Sequence, residues 1–279
     1  MTYGIQTSNN FESLYLSGLS QEVVLARGEV NFNTTVHHQT GTNESTNVSP
    51  GLAYISITLE KYAIGMPMLK SGVGGHHTFA DGVYMIGGST RGSTPMIIDG
   101  RAEWSSKRHW SETATTITIN YLVLPPAMDN SLSSNRISGT VYVLLVGKLP
   151  ENYNKTDYGI RMYNTSNKVT FDSALMPITP KYVVDRPTNF DNYQSASPLN
   201  LGNFPAGVKL TVCSWLGQGR CPNPLRFINM TVQFNSIGTK YGIRPNGFAW
   251  GNPWQSHFGS HLINQASNKI RVFEASDYF

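Results

Sequence analysis

The chain has 279 residues, only 14% of them Asp, Glu, Lys or Arg, and a formal net charge of +4. That length holds one large β domain or two smaller ones with proper cores. The scattered positive charge offers no basic stripe for nucleic acid, no apolar run approaches the roughly 18 residues needed to cross a bilayer, and the first residues lack the basic and apolar regions of a secretory leader.

In chain order, the first candidate strand is Tyr3-Gly4-Ile5-Gln6, with Ser8-Asn9-Asn10 as its turn. Leu14-Tyr15-Leu16 and Glu22-Val23-Val24-Leu25-Ala26 follow. Residues 34–50, poor in apolar side chains and rich in Asn, Thr and Ser, read as an exposed loop or a long hairpin tip. Residues 53–59 alternate cleanly: Ala53, Ile55, Ile57 and Leu59 face one way, Tyr54, Ser56 and Thr58 the other. Glycine-rich loops at 72–77 and 87–94 flank the short strand Val83-Tyr84-Met85-Ile86. Residues 116–124 form another strand, stopped by Pro125-Pro126, and 128–138 is a polar connection. Residues 141–146 are apolar on both faces and read as a central strand.

Further on, Lys181-Tyr182-Val183-Val184 is a strand and 185–204 a long polar stretch with Pro187 and Pro198. Residues 208–215, 227–234 and 269–273 complete the strands. A third Tyr-Gly-Ile, at Tyr241-Gly242-Ile243, is expected to break into a loop at Pro245-Asn246-Gly247. No segment keeps a helical period over three turns. Strands at short spacing with glycine and proline turns predict an all-β, antiparallel β-sandwich fold. The preferred organisation is two tandem sandwiches, residues 1–150 and 151–279, with one large sandwich as the alternative. Ile57, Ile119, Val143, Phe171, Val212 and Val232 are the expected core.

The stretch Tyr158-Gly-Ile-Arg-Met-Tyr-Asn-Thr-Ser-Asn-Lys-Val-Thr-Phe-Asp-Ser173 reads as a β-hairpin. Ile160 and Met162 alternate with Arg161 and Tyr163, and the Asn-Thr-Ser-Asn turn supplies residues that tolerate positive φ. Together with the opening Met1-Thr-Tyr-Gly-Ile-Gln6, this hairpin resembles tail-associated virion proteins of tailed bacteriophages. Members of that family open on a Tyr-Gly-Ile or Tyr-Gly-Leu strand. They carry a Tyr-Gly strand, a polar turn and Phe-Asp-Ser after a strand like Thr140-Val-Tyr-Val-Leu-Leu-Val146. The N-terminal copy departs from the pattern, with Phe11-Glu12-Ser13 and a shorter turn. The resemblance implies a structural role in the tail tip or fibre region and carries no catalytic residues.

Chemical motifs are sparse. His37-His38 and His76-His77 are adjacent pairs, which on a strand project to opposite faces and cannot easily share a metal. His257 and His261 have helical zinc spacing, but Gly259 lies between them and no Glu follows His257. No metal or cofactor is expected. There is no Gly-X-Ser-X-Gly elbow, and residues 87–94 lack the lysine of a phosphate-binding loop. Asp81, Asp99 and Glu103 are carboxylates from which a glycosidase pair is in principle available, but their separation is not given by sequence and carboxylates in loops are usually solvated. Cys213 and Cys221 read either as free thiols or as a disulfide across a glycine turn at 214–220. The Asn-X-Ser/Thr triplets at Asn33, Asn43, Asn47, Asn154, Asn164 and Asn229 read as turn composition.

The candidate interaction surface is Tyr241, Phe248, Trp250, Trp254, His257 and Phe258, in a glycine-rich segment. Aromatics on loops cap a core, anchor subunit contacts or stack on sugars. The low charge and the aromatics and methionines in loops, Met66 and Met68 among them, argue for a surface covered by partners. The expectation is therefore a non-enzymatic virion protein, assembled in the host cytoplasm. It would form a homotrimer docked on other tail proteins, with no nucleic acid and no membrane insertion. The alternatives are a module binding a host receptor or glycan, or a head decoration or head-fibre protein.

Overall fold

Val141-Tyr142-Val143-Leu144-Leu145-Val146 lies in the middle of the largest sheet, and the rest of the architecture follows from its two apolar faces. The computed structural model describes residues 4–9, 12–17, 22–37, 53–71, 77–90, 110–123, 134–149, 160–163, 165–167, 169–185, 199–212, 217–222, 225–234, 241–247, 262–265 and 269–279. Among these the chain is β throughout, apart from a 3₁₀ turn at Ala275–Asp277. The strands are β1 (Gly4–Asn9), β2 (Glu12–Ser17), β3 (Glu22–His37), β4 (Ala53–Lys61), β5 (Leu69–Ser71), β6 (His77–Phe79), β7 (Tyr84–Ser89), β8 (Ser111–Glu112), β9 (Thr116–Val123) and β10 (Ser134–Lys148). Then come β11 (Arg161–Tyr163), β12 (Val169–Asp172), β13 (Tyr182–Asp185), β14 (Leu199–Gly202), β15 (Lys209–Val212), β16 (Gly217–Pro222), β17 (Leu225–Phe234), β18 (Tyr241–Gly247), β19 (Leu262–Gln265) and β20 (Lys269–Glu274).

Nine strands form one antiparallel sheet in the order β13-β20-β15-β7-β10-β3-β4-β9-β8. A second sheet of five runs β14-β18-β17-β16-β19, and β1-β2, β5-β6 and β11-β12 are two-stranded. The all-β expectation holds. Two tandem sandwiches are not confirmed: strands from 182–185, 209–212 and 269–274 join the sheet built by 22–148, so this sheet runs across the proposed division at residue 150.

The nine-stranded sheet is not flat. β4 pairs with β3 only at Ala26–Lys61 and Arg27–Glu60. At the next position, a Cβ on Gly28 would lie 2.6 Å from the Thr58 carbonyl oxygen and 3.2 Å from the Leu59 Cα. β4 therefore passes over the face of β3, and only a residue without a side chain allows that approach. β4 and β9 close over the centre as the second layer of a sandwich. Between the layers lie Ala26, Phe32, Val141, Val143, Leu145 and Met85 from the central strands, and Ile57, Leu59, Ile117, Ile119 and Tyr121 from β4 and β9.

The opposite end curls over the other face. In a flat sheet four strand spacings, roughly 19 Å, would separate β20 from β3. Yet Arg271 Nη1 on β20 donates to Glu22 Oε2 on β3 at 3.0 Å, closer than two side chains could bridge across that span. Gly88 marks the bend, since a Cβ there would meet the Lys209 carbonyl oxygen at 2.2 Å. This face buries Val24, Ile86, Leu144 and Val146 under Leu210, Phe273, Ile178, Ala275 and Tyr278.

Expected strands at 53–59, 116–124, 141–146 and 227–234 are present as β4, β9, β10 and β17. Ile57, Ile119 and Val143 are buried, Phe171 and Val212 are half-buried, and the Val232 side chain lies outside the described residues. Several loop expectations are corrected. Residues 34–37 and 134–138 are polar yet strand, paired with each other from His37↔Ser134 to Thr34↔Ile137 as the outer end of the β3–β10 ribbon. Gly87–Ser89 is strand because β15 crosses so closely there. Residues 199–202 and the glycines at 217 and 219 are strand rather than loop or turn. Ser8 and Asn9 likewise pair with Ser13 and Glu12 within β1–β2 rather than turning.

Tyr241–Gly247 is also strand, pairing with β17 through Met230↔Pro245. Pairing with β14 reaches only as far as Ile243↔Leu199, so at Pro245 one side of the strand is an edge among the described residues, where proline is tolerated.

Candidate functional site

Of the predicted interaction surface, Tyr241 lies on β18 opposite Phe234 and Gly202, with its side chain outside the description. Phe248, Trp250, Trp254, His257 and Phe258 lie outside the described residues altogether, as do His38, His76, His261, Asp99, Glu103 and Cys213. Cys221 is on β16 opposite Arg226. His77 is exposed on β6. Asp81 projects fully into solvent and bonds Lys70. Among the described residues no three His, Cys, Asp or Glu side chains gather as metal ligands.

The structure assembles other polar groups. Glu22, Tyr84 and Arg271 converge from β3, β7 and β20: the Tyr84 hydroxyl donates to Glu22 Oε2 at 2.6 Å, and Arg271 donates to Glu22 Oε2 at 3.0 Å and to the Tyr84 hydroxyl at 3.2 Å. Burial, then the hydrogen bond to Glu22, pushes the Tyr84 phenol above its ordinary value. A phenol held this way is a donor, and the triad works as a clasp between strands. Lys61 bonds Glu112 at 2.7 Å, and the same carboxylate accepts the Met68 N–H at 2.7 Å and the Leu69 N–H at 2.9 Å. That carboxylate fixes the segment carrying Met66 and Met68. Met68 is fully buried and Met66 packs on the same core, so this loop holds its methionines for the chain itself.

Arg27 forms a third cluster. Its guanidinium lies 5.4 Å from the Tyr62 ring centre and 5.8 Å from that of Phe279, and it donates to the Tyr278 carbonyl. The Tyr278 hydroxyl exchanges hydrogen bonds with Thr179, and burial raises its pKa. None of these clusters has a sequence signature, since their hydrogen-bonded partners lie 43 to 251 residues apart.

The β11–β12 hairpin is the predicted feature that the structure presents outward. Its root is fixed: Ile160 and Ser173 exchange hydrogen bonds at 2.8 and 2.9 Å, and buried Asp172 accepts from Arg161 at 3.0 Å and from the Ala174 N–H at 2.9 Å. Val169 and Leu175 pack on the sandwich core. Ile160 is 66% exposed and Tyr163 52% exposed. Asn167 takes φ 61°, the left-handed conformation that the Asn-Thr-Ser-Asn turn anticipates. Its engaged carboxylate and guanidinium serve its own root.

No family model, no curated protein and no solved structure matches this chain.

Proposed function

We propose that the chain is a structural virion protein of a tailed bacteriophage, placed in the tail tip or fibre region and working by assembly rather than catalysis. The observation that carries this reading is the outward hairpin. The segment that resembles tail proteins folds as a hairpin, is fixed to the core through Val169 and Leu175, and offers Ile160 and Tyr163 to solvent. Large apolar side chains held rigidly at a surface are the usual anchors of protein contacts. The low charged fraction, 14%, supports the same reading, because free soluble domains carry more. Three copies around the tail axis, docked on other tail proteins, is the proposed arrangement, since closed symmetry is the rule for homo-oligomers.

The test is a reconstruction of the intact particle. The expected result is this chain in the tail, in symmetric copies, with the hairpin buried in a contact exceeding roughly 1,000 Å². Lone copies without extensive contacts, or absence from purified particles, would overturn the proposal. Release of oligosaccharide from host polysaccharide by the purified protein, abolished by a carboxylate substitution, would overturn its non-catalytic part.

A further inference from the structure

The nine-stranded sheet ends on β13, and no described strand lies beyond it. An edge strand offers unpaired backbone groups to any second strand, and proteins usually protect it. Along this edge the side chains alternate: Lys181, Val183 and Asp185 are exposed, with Val183 at 55%, while Tyr182 and Val184 are half-buried. The Lys181 N–H is given to the Val272 carbonyl at 2.8 Å, toward β20. The Val272 carbonyl thus faces β13, and Val272 stands opposite Tyr182, so Tyr182 and Val184 spend their backbone groups on β20 while Val183 and Asp185 turn their N–H and C=O groups toward the open edge.

The outward row is self-complementary. Set two copies of β13 antiparallel with Val183 opposite Val183. The two Val183 residues then exchange backbone hydrogen bonds, and Tyr182 meets Val184 of the second copy on either side as non-hydrogen-bonded pairs. Lys181 meets Asp185 of the other copy twice. Asp185 already bonds Lys269, and Lys181 is 3.8 Å from Asp277. The joined edge would therefore carry the unbroken alternation Lys269, Asp185, Lys181, Asp277, with the exposed valines meeting at the centre. A protective edge places like charges opposite one another or points a charge inward. This row instead places opposite charges in register, which favours cross-strand pairing.

We propose that β13 is a self-pairing edge, through which two copies of this chain join their nine-stranded sheets antiparallel about Val183. The contact is isologous and two-fold. It stands independently of the tail assembly: combined with a threefold contact it gives a hexamer with dihedral symmetry, and alone it gives a dimer. Four residues per edge bury well under roughly 1,000 Å², so the association is weak and reversible.

The test uses the full chain. Val183→Cys is expected to give a disulfide-linked dimer under mild oxidation, because directly opposite residues of paired strands bring their Cβ atoms within about 5.5 Å. Ile64→Cys, equally exposed at 58%, is the control for random collision and for the native cysteines. Sedimentation between about 1 and 100 μM should show a concentration-dependent doubling of mass in the wild type. Val183→Lys should weaken that association by at least about tenfold by setting two ammonium groups face to face. Asp185→Lys should weaken it as well, and Lys181→Asp added to it should restore it. Crosslinking of Val183→Cys no faster than Ile64→Cys overturns the proposal. So does an association that Val183→Lys, folded as judged by circular dichroism, leaves unchanged.

Discussion

The two faces of the central strands β7, β10 and β3 are closed in different ways. One is covered by β4 and β9, whose inward residues Ile55, Ile57 and Leu59 stand opposite Tyr121, Ile119 and Ile117 in register. That closure is apolar, and the two covering strands pair with each other along their whole length. The other is covered by β15 and β20, the segment through Met176 and Ile178, and the turn at Ala275–Asp277. There the cover is pinned by polar ties: Glu22 to Arg271 and Tyr84, Arg27 to Tyr278, Tyr278 to Thr179, and the backbone bonds Val24 N to Met176 O and Ile178 N to Glu22 O. The first face therefore depends on shape and burial. The second depends also on charge and protonation, and it joins chain segments 249 residues apart.

The largest effect should be the same for either face. Val143 points into the first core and Leu144 into the second, and both are fully buried. Val143→Asp or Leu144→Asp places an unpaired charge where water cannot reach, at a cost of several kcal/mol, and neither variant should accumulate as folded soluble protein. A soluble Val143→Asp protein with the wild-type melting temperature would remove β10 from the centre.

The next effect separates ionic from apolar closure. Lys209 and Glu274 stand opposite each other on β15 and β20 and bond with the lysine fully buried and the glutamate nearly so. Lys209→Met strands the carboxylate and should cost about 3–5 kcal/mol in urea unfolding. Replacing both, Lys209→Met with Glu274→Leu, should return stability to within about 1 kcal/mol of wild type or above it. A single variant as stable as the double would mean that the pair is hydrated.

The faces should then part company at high pH. Tyr84 and Tyr278, both belonging to the second closure, have pKa values raised chiefly by burial from an ordinary 10.0. The folded state holds these protons more tightly than the unfolded chain does. Their contribution is thus fully present below pH 10 and is lost as pH rises beyond it. Melting temperature should fall from about pH 10 upward, and Tyr84→Phe with Tyr278→Phe should flatten that fall while lowering the plateau at neutral pH. Ile57→Val, on the apolar face, should lower the whole curve by about 1 kcal/mol without changing its slope. Identical slopes in all three proteins would show that the polar ties contribute nothing to the second face.

The contrast also marks what was legible in the sequence. β4, β9 and β10 were readable because alternation, or an apolar run, is a local record of burial on one face or two. Gly87 and Gly88 read as loop, since composition cannot tell a turn from a strand that another backbone crosses at close range. The polar ends of β3 and β10 read as loop because ladder hydrogen bonds stabilise backbone whatever the side chains are. Pro245 read as a breaker because the sequence does not show that, among the described residues, the side facing β14 has already run out of partner. The clasps of Glu22, Tyr84, Arg271 and Arg27 left no trace at all: their partners meet only once the sheet has curled. The aromatic segment singled out from composition lies, apart from the backbone of Tyr241, outside the described residues, whereas the hairpin singled out from pattern is described in both of its strands.

That hairpin supplies the smallest effect and the sharpest local test. It leans on the apolar face through Val169 and Leu175, and in its turn Asn167 alone among the described residues takes a positive φ, 61°. Asparagine accepts this conformation, glycine accepts it without strain, and a β-branched residue pays about 1–2 kcal/mol to enter it. Asn167→Gly should leave the melting temperature nearly unchanged, within about 0.5 kcal/mol. Asn167→Val should loosen the hairpin without opening the sandwich, because the turn is exposed and the root is held separately by Asp172. Hydrogen exchange distinguishes the two levels. Backbone amides of β11 and β12 should exchange faster in Asn167→Val, while those of β10 keep their wild-type protection. If β10 loses protection in parallel, the hairpin is part of the cooperative core of the first face rather than a rigid feature mounted on it. Its exposed Ile160 and Tyr163 would then owe their position to the whole sandwich and not to the turn.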